Sequence, residues 1–495
     1  MKYLILFFLF SITNCFNSSA QNLEIVKGTL LDQNTKEPLP YANIVILQKN
    51  IGTISNEKGL FSLDISKLEK TDTLSFQYIG YKTKAIIISE LDSSSIIYLK
   101  EDLINLSEAF VFGNPPDAKE IIEKVLENRE KNYPKRNVKA QTFIRWRNTS
   151  DIEKAIFDLK KNTIEEIDEV SLKLAAEKIP KHNTSYIDFL GDLYFSSKDD
   201  DTLKINPIRV ISLKKEEIAE LEQMGKTFEN LFNKSDEKEY WKIKSGVFSQ
   251  KLDIDDPVEN DSIAEKEDEN ENTTKTASYN RSINNRLGYS LLSDKDQWEF
   301  LHKTGKYNYS LVSGTKVNGE DVYMIDFSPK SSGKYQGRVY ISINTYALIR
   351  ADYHYAEGKM GKDFQLLGVG YKENYFSGSI YFEKKGDSYF LKYFTYKAGS
   401  FVSIDRNISL IKKRKRFLFD KKLKEIKVSI IFEVNSQESF EFLLLSDHKI
   451  DQQQLKDFHQ PKEMEIIYID HFDDDLWKGY SIIEPTKRMR EYIKL

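Results

Sequence analysis

The chain has 495 residues, 40% hydrophobic and 30% charged, a balance that suits two or three globular domains joined by solvated segments. A net charge of -4 lacks the basic excess of a nucleic-acid binder, and a single cysteine excludes a disulfide framework. With 28 tyrosines and 30 phenylalanines against 22 glycines and 11 prolines, β-sheet is predicted to dominate.

Residues 1–20 read as an export signal. Lys2 supplies the positive start, Tyr3 to Ile12 a short apolar core, and Ser18-Ser19-Ala20 the small residues before a cut at Gln21. A rival reading makes Cys15 the acylated first residue of a lipoprotein, but Asn14 is a poor residue to precede it. No later stretch has the length of a transmembrane helix, and the closing "IIEPTKRMREYIKL" reads as a short helix instead of the last strand of a barrel.

From 23 to 100 the chain predicts short strands: "ANIVIL" (42–47), "LFSLDI" (60–65), "TLSFQYI" (73–79), "KAIII" (84–88) and "SIIYL" (95–99). Phe61, Leu63 and Ile65 alternate with Ser62 and Asp64, the period of a half-buried strand. The loop Asn56-Glu57-Lys58-Gly59 has too few oxygen ligands for calcium, since Asp64 lies seven residues from Glu57. It reads as a turn in which Gly59 takes an unusual φ and Asn56 bonds to nearby backbone.

Gly28, Pro38 to Ile44, Gly52-Thr53, Asn56 to Phe61 and Tyr78-Ile79-Gly80-Tyr81 together resemble the carboxypeptidase-regulatory-like domain, a transthyretin-like β-sandwich. The resemblance implies a non-catalytic module of the kind found at the N-termini of outer-membrane proteins of Gram-negative bacteria. "LINLSEAFVFG" (103–113) also resembles the lead into a receptor plug, yet no plug-like sequence follows.

Residues 114–134 predict a helix: Ala118, Ile121, Ile122, Val125 and Leu126 share one face, Pro116 and Asp117 open it and Pro134 ends it. Strand-like pieces and charged stretches alternate through 138–212, and a second helix is expected over Lys214 to Phe232. An acidic, aromatic-free stretch at 253–275 has too little apolar area to fold, so 253–281 is expected to be a disordered segment. Asp261-Ser262-Ile263 within it resembles a short O-glycosylation site. Hairpin-like strands return over 282–495, with turns at Asn344-Thr345 and Lys385-Gly386-Asp387. This region is loosely similar to lipoprotein-carrier half-barrels, in which a curved antiparallel sheet wraps helices.

Three candidate constellations were weighed. His354 and Glu357 form a His-x-x-Glu pair with His448, His459 and His471 downstream, as in a zinc carboxypeptidase. Zinc needs converging ligands, and residues i and i+3 of a strand face opposite ways. His471 with Asp473, Asp474 and Asp475 reads as a solvated loop. "KKRKR" (412–416) reads as a charged hairpin end that blunts edge pairing, or as a grip on anionic headgroups.

The expected fold is mainly β with α. It comprises a small N-terminal antiparallel β-sandwich (21–102), a linker and helix (103–135), an α+β region (136–252), the acidic segment and a β-rich region (282–495). The expected function is non-enzymatic binding or scaffolding at the outer membrane or in the periplasm. Envelope proteins, lipid or lipopolysaccharide are the partners, and no nucleic acid, metal, cofactor or catalytic residue is assigned. The alternatives are a carrier of lipid or another apolar ligand and, third, the zinc hydrolase.

Overall fold

A computed structural model describes residues 25–46, 49, 51–66, 68–92, 94–104, 116–164, 167–198, 203–213, 238–246, 248–252, 273–317, 320–417 and 419–491. The export signal with Cys15, residues 105–113, the helix expected at 214–232 and most of the acidic segment, with Asp261-Ser262-Ile263, lie outside the described residues. The chain divides into two units, residues 1–101 with 473–489, and residues 102–472 with 490–495.

The first unit is built from β1 (Ile25–Asp32), β2 (Asn43–Ile46), β3 (Ile51–Ile54), β4 (Leu60–Asp64), β5 (Thr73–Gln77), β6 (Lys84–Ile87) and β7 (Ser94–Leu99). They form two sheets, β4-β1-β7 and β3-β2-β5-β6. All pairings are antiparallel except β1 with β7, which runs parallel. Alternation in β1 turns Val26, Gly28, Leu30 and Asp32 inward. Val26 and Leu30 pack with Ile44, Phe61, Leu63, Leu74, Phe76 and Ile97 in one core.

Gly28 is required by space, because a Cβ there would lie 2.5 Å from the Ser95 carbonyl oxygen and 2.6 Å from the Phe61 ring. Gly59 is required by conformation, with φ of 72° in the turn between β3 and β4. Asn56 closes that turn, its side-chain oxygen accepting from the backbone N–H of Lys58 (2.8 Å) and Leu60 (3.1 Å).

The C-terminal stretch returns to this unit. Ile482, Ile483, Glu484 and Pro485 are buried although the stretch has no regular structure. Thr53 Oγ1 donates to the Ile482 carbonyl (2.9 Å), Asn56 Nδ2 donates to the Glu484 carbonyl (3.0 Å), and Gly479 N donates to Asp64 (2.7 Å). Sequence patterning predicts one β-rich region over 282–495 that ends in a short helix. The strands of that region end at Ile469, and the chain then crosses to the sandwich before its last short helix, Lys487–Arg490.

The second unit is dominated by one sheet. Its strands begin with β8 (Leu103–Ile104), β9 (Val138–Asn162), β10 (His182–Phe195), β11 (Lys204–Leu213), β12 (Glu239–Ser245) and β13 (Phe248–Leu252). After β14 (Thr273–Lys275) come β15 (Tyr307–Val317), β16 (Glu320–Pro329), β17 (Tyr335–Ser342), β18 (Leu348–Tyr355), β19 (Asp363–Leu366) and β20 (Val369–Lys385). The series ends with β21 (Ser388–Arg414), β22 (Lys421–Lys449), β23 (Glu463–Glu465) and β24 (Ile467–Ile469). The order is β24-β11-β10-β9-β22-β21-β20-β18-β17-β16-β15-β8, with β12 and β13 beside β21 and β19 beside β20, while β14 pairs β23 separately. Every pairing is antiparallel except β11 with β24.

Helix α1 (Ala118–Glu127) begins where Asp117 accepts from Lys119 N, and buries Ile121, Ile122 and Val125. Helix α2 (Glu169–Lys178) is capped by Asp168, and α3 (Thr276–Gly288) buries Tyr279, Ile283 and Leu287 at i, i+4, i+8 spacing. β14 and α3 occupy 273–281, which composition had assigned to the acidic segment. The apolar residues of α3 are sparse but fall on a single stripe, and that is enough to seat it.

The longest strands are β9, β21 and β22, with 25, 27 and 29 residues. At one end they lie under α3 and the residue after it, with Tyr279 against Trp146 of β9, Tyr289 against Tyr396 of β21 and Arg286 on Glu438 of β22. At the other, Leu172 of α2 and Ile164 and Ile167 just before it pack with Trp241, Ile426, Leu159 and Leu410 as a separate small core. Between these two ends their side chains are half-buried.

Candidate ligand site

β21 and β22 pair without a register break from Tyr393↔Leu443 to Lys412↔Lys424. One face of the pair therefore reads continuously. It begins with Tyr396↔Phe440, Ala398↔Glu438 and Ser400↔Ser436, then turns apolar with Val402↔Val434, Ile404↔Phe432, Arg406↔Ile430 and Ile408↔Val428. β9 adds Ile152 beside Val434, Ala155 beside Phe432 and Phe157 beside Ile430. β20 adds Tyr371 beside Val402 and Val369 beside Ile404. The opposite face of the same strands carries Ser403, Asp405, Asn407, Ser429 and Glu433.

The polar end of this strip opens into a cavity of ≈ 430 Å³. Its aromatic lining includes Tyr289, Tyr335, Tyr355, Tyr371, Phe376 and Tyr396. Four carboxylates line it, Asp294, Asp296, Glu373 and Glu438, with Lys334 and Lys362 beside them, and two of the four are anchored by neighbouring groups. Glu438 accepts from Arg286 Nε (2.7 Å) and the Tyr396 hydroxyl (3.0 Å). Glu373 accepts from Lys362 N (2.8 Å) and the Tyr371 hydroxyl (3.3 Å). Burial raises the phenols of Tyr335, Tyr355 and Tyr396 above the ordinary tyrosine value. Tyr371 and Tyr289 shift the same way for the same reason. They therefore stay protonated at neutral pH and act as neutral hydrogen-bonding groups that also present ring faces.

Chemically the site joins flat aromatic walls, hydroxyls, four carboxylates and two lysines to an apolar strip. That combination matches a molecule with a hydroxylated or otherwise polar end and an extended apolar tail. From Val434 to Val428 the strip runs for about 20 Å at ~3.3 Å per residue. Arg406 is the one charge on it, and its guanidinium is turned to the Ser245 carbonyl (3.1 Å).

The residues singled out in the sequence for zinc are not brought together. His354 is exposed on β18, its Nε2 2.9 Å from the Gln336 amide nitrogen, and Glu357 follows in a turn. Burial lowers the His354 pKa. His448 lies near the end of β22, three strands away in the sheet, while His459 and His471 lie in the connections after it. Among the described residues no group of three or more His, Cys, Asp or Glu side chains is placed to hold a metal. Asp473 accepts from the backbone N–H of Asp475 (2.9 Å) and so shapes its own turn. The carrier alternative implies a concave face of the C-terminal sheet lined by Tyr, Phe and Ile, but the sequence assigns no residues to it, because the lining of this pocket comes from segments up to about 290 residues apart.

Residues 26–111 match the family model described as CarboxypepD_reg-like domain, so the first unit carries a carboxypeptidase-regulatory-like domain. No curated protein matches the chain. Among solved structures, the complex of MucA and MucB from Pseudomonas aeruginosa is 8% identical, with 65% of this chain and 93% of that chain covered at a TM-score of 0.19. A domain assigned to outer membrane lipoprotein sorting, from Vibrio parahaemolyticus, is 9% identical, with 68% and 97% covered at a TM-score of 0.19. Identities and scores this low leave the functional reading to the geometry. No helix among the described residues is long and apolar enough to cross a membrane.

Proposed function

We propose that this chain is a non-enzymatic binding protein of the cell envelope whose large sheet holds an amphiphile. The polar end sits among Tyr371, Tyr396, Glu373 and Glu438, and the apolar tail lies along Val402, Ile404, Ile430, Phe432 and Val434. The observation that carries this reading is the unbroken register of β21 with β22, which joins pocket and strip on one face. The carboxypeptidase-regulatory-like domain supports an envelope setting, by its resemblance to the modules that precede outer-membrane proteins.

The test is to purify the full chain gently from envelope extracts, denature it, and identify released small molecules by mass spectrometry. A stoichiometric lipid-like amphiphile is expected. A chain that emerges empty and also fails to bind lysophospholipids refutes the reading. Scaffolding of envelope proteins is the second reading, favoured by a sandwich that already receives a peptide segment, residues 479–484. A pull-down that recovers defined envelope proteins with an empty sheet would favour it.

A further inference from the structure

The tip of the β21–β22 hairpin places hydrophobic and basic groups together in an arrangement that folding does not need. Phe417 and Phe419 are fully exposed, at 101% and 87%. A lone exposed apolar residue is ordinary, but two phenylalanines within three residues at a hairpin tip bury nothing in this protein. Around them, residues 412–424 hold eight Lys or Arg and one acid, Asp420.

The basic groups also face one another. Lys412 pairs with Lys424, Lys413 with Lys422 and Arg414 with Lys421 directly across the two strands. Like charges in such positions repel, which destabilises a hairpin. Part of that charge is compensated: Glu239 holds Lys412 (2.9 Å) and Arg414 (2.5 Å), and Glu425 holds Lys422 (2.7 Å). Among the described residues Lys413, Lys415, Arg416 and Lys421 make no close ion pair; Asp420 accepts from the Tyr240 hydroxyl (2.5 Å), and the more distant charges of Lys413 and Lys415 also act on it.

Blunting of a sheet edge explains lysines but not exposed phenylalanines, and solubility argues against both rings. Basic side chains flanking bare aromatic rings are the chemistry that recognises an anionic bilayer: the cations meet the headgroup charge and the rings enter the interface. We infer that the 412–424 hairpin tip is a membrane-docking element that seats on an anionic lipid surface, with Phe417 and Phe419 as the inserted residues. This rests on residues separate from the amphiphile site, so either can fail without the other.

The test is co-sedimentation of the full chain with vesicles of phosphatidylcholine alone and of phosphatidylcholine mixed with phosphatidylglycerol. Binding should be at least ~10-fold stronger to the anionic vesicles and should weaken as salt is added. The triple variant K413Q/K415Q/R416Q should lose about 100-fold, at about fivefold per basic side chain, together with most of the salt dependence. The double variant F417S/F419S should lose about 10-fold or more while keeping the salt dependence. Separately, F417W should give a blue-shifted emission on the anionic vesicles that brominated lipid quenches.

Lys415, Arg416, Phe417 and Phe419 are exposed and Lys413 is half-buried without a close ion pair, so melting curves should stay close to that of the unaltered chain. Equal binding to both vesicle types overturns the inference. So does unchanged binding by the phenylalanine variant, or binding to a soluble polyanion with none to vesicles.

Discussion

If the strip on β21 and β22 holds an apolar tail, affinity must depend on tail length in a way the strip's dimensions set. Burying one methylene fully contributes about 0.8 kcal/mol. The strip is one wall, since its residues are half-buried, so a tail lying on it loses contact with water on about half its surface. That leaves about 0.4 kcal/mol per methylene, or roughly a twofold gain in affinity for each. Going from a decyl to a tetradecyl tail should therefore tighten binding about 16-fold, and the gain should stop once the tail outruns the ~20 Å from Val434 to Val428. Phe432→Ser, at the centre beside Ile404 and Ala155, should flatten this dependence. Glu438→Gln should instead weaken every member of the series by a similar factor and leave the slope alone, because Glu438 lies at the polar end. Isothermal titration calorimetry with a lysophospholipid series below micelle concentrations reads both. A Kd independent of tail length, or an unchanged slope in Phe432→Ser, would refute the placement of the tail.

Asp188→Ala should lower the stability of the second unit by about 3–5 kcal/mol in guanidinium unfolding, because it strands the buried Arg145 guanidinium, now bound bidentately at 2.8 Å. In the sandwich, Asp32 is held below the ordinary carboxylate range chiefly by the Tyr81 hydroxyl (2.6 Å), with help from Thr35 N and Asn34 N. A depressed folded-state pKa gives stability that is present above the unfolded value and is lost as pH falls through the folded one. Tyr81→Phe should therefore cost about 1.5 kcal/mol at neutral pH, with the two melting curves converging in acid. Asn56→Ala removes two turn bonds and the bond to Glu484, and should open the 473–489 stretch to limited proteolysis at a cost of about 2–3 kcal/mol. Protection equal to that of the unaltered chain would show that the stretch is held by its apolar contacts alone.

The sandwich was legible because its signals are local. Gly59 marks a left-handed turn and Phe61-Leu63 alternation marks a strand, both readable within a few residues, whereas the close approach that requires Gly28 comes from Phe61 and Ser95 far along the chain. Asn56 was legible only in part. Its bonds to Lys58 and Leu60 follow from the turn, but its bond to Glu484 joins positions 428 apart, and no local pattern records that. The same limit hid the ligand site. Alternation in β21 and β22 can be read from either strand, but which faces coincide depends on register, and register is a pairwise property. "IIEP" near the end illustrates a third cause, since its two isoleucines fit a helix or strand core equally well and in fact pack as irregular chain.

The face of the sheet opposite the site bears on why the site is continuous at all. Directly paired positions run Asp326, Arg338, Asp352, Ser379, Thr395, Glu441, Arg145 and Asp188 across eight consecutive strands. Arg338 holds Asp326 at 2.5 Å and Arg350 holds Asp352 at 2.7 Å. Ser379 donates to Asp352 at 2.6 Å, and Arg145 closes the row on Asp188. At the buried end of the row, where Arg145 and Asp188 lose their hydration, an apolar pair of similar volume would stabilise the sheet at least as well. What an apolar row would lack is directionality. A slip of β22 by one residue would bring Glu433 and Ile431 to the ligand face in place of Phe432 and Val434, and in the same step would pull Glu441 away from Arg145. The charged row thus penalises the misregistration that would break the strip, and it does so from the face that touches no ligand. On this hypothesis the stability lost in Asp188→Ala and the tail-length slope are coupled. An Arg145→Met/Asp188→Leu double variant should regain most of the stability, yet show a shallower slope than the unaltered chain. A double variant with both restored would leave the row as ordinary packing.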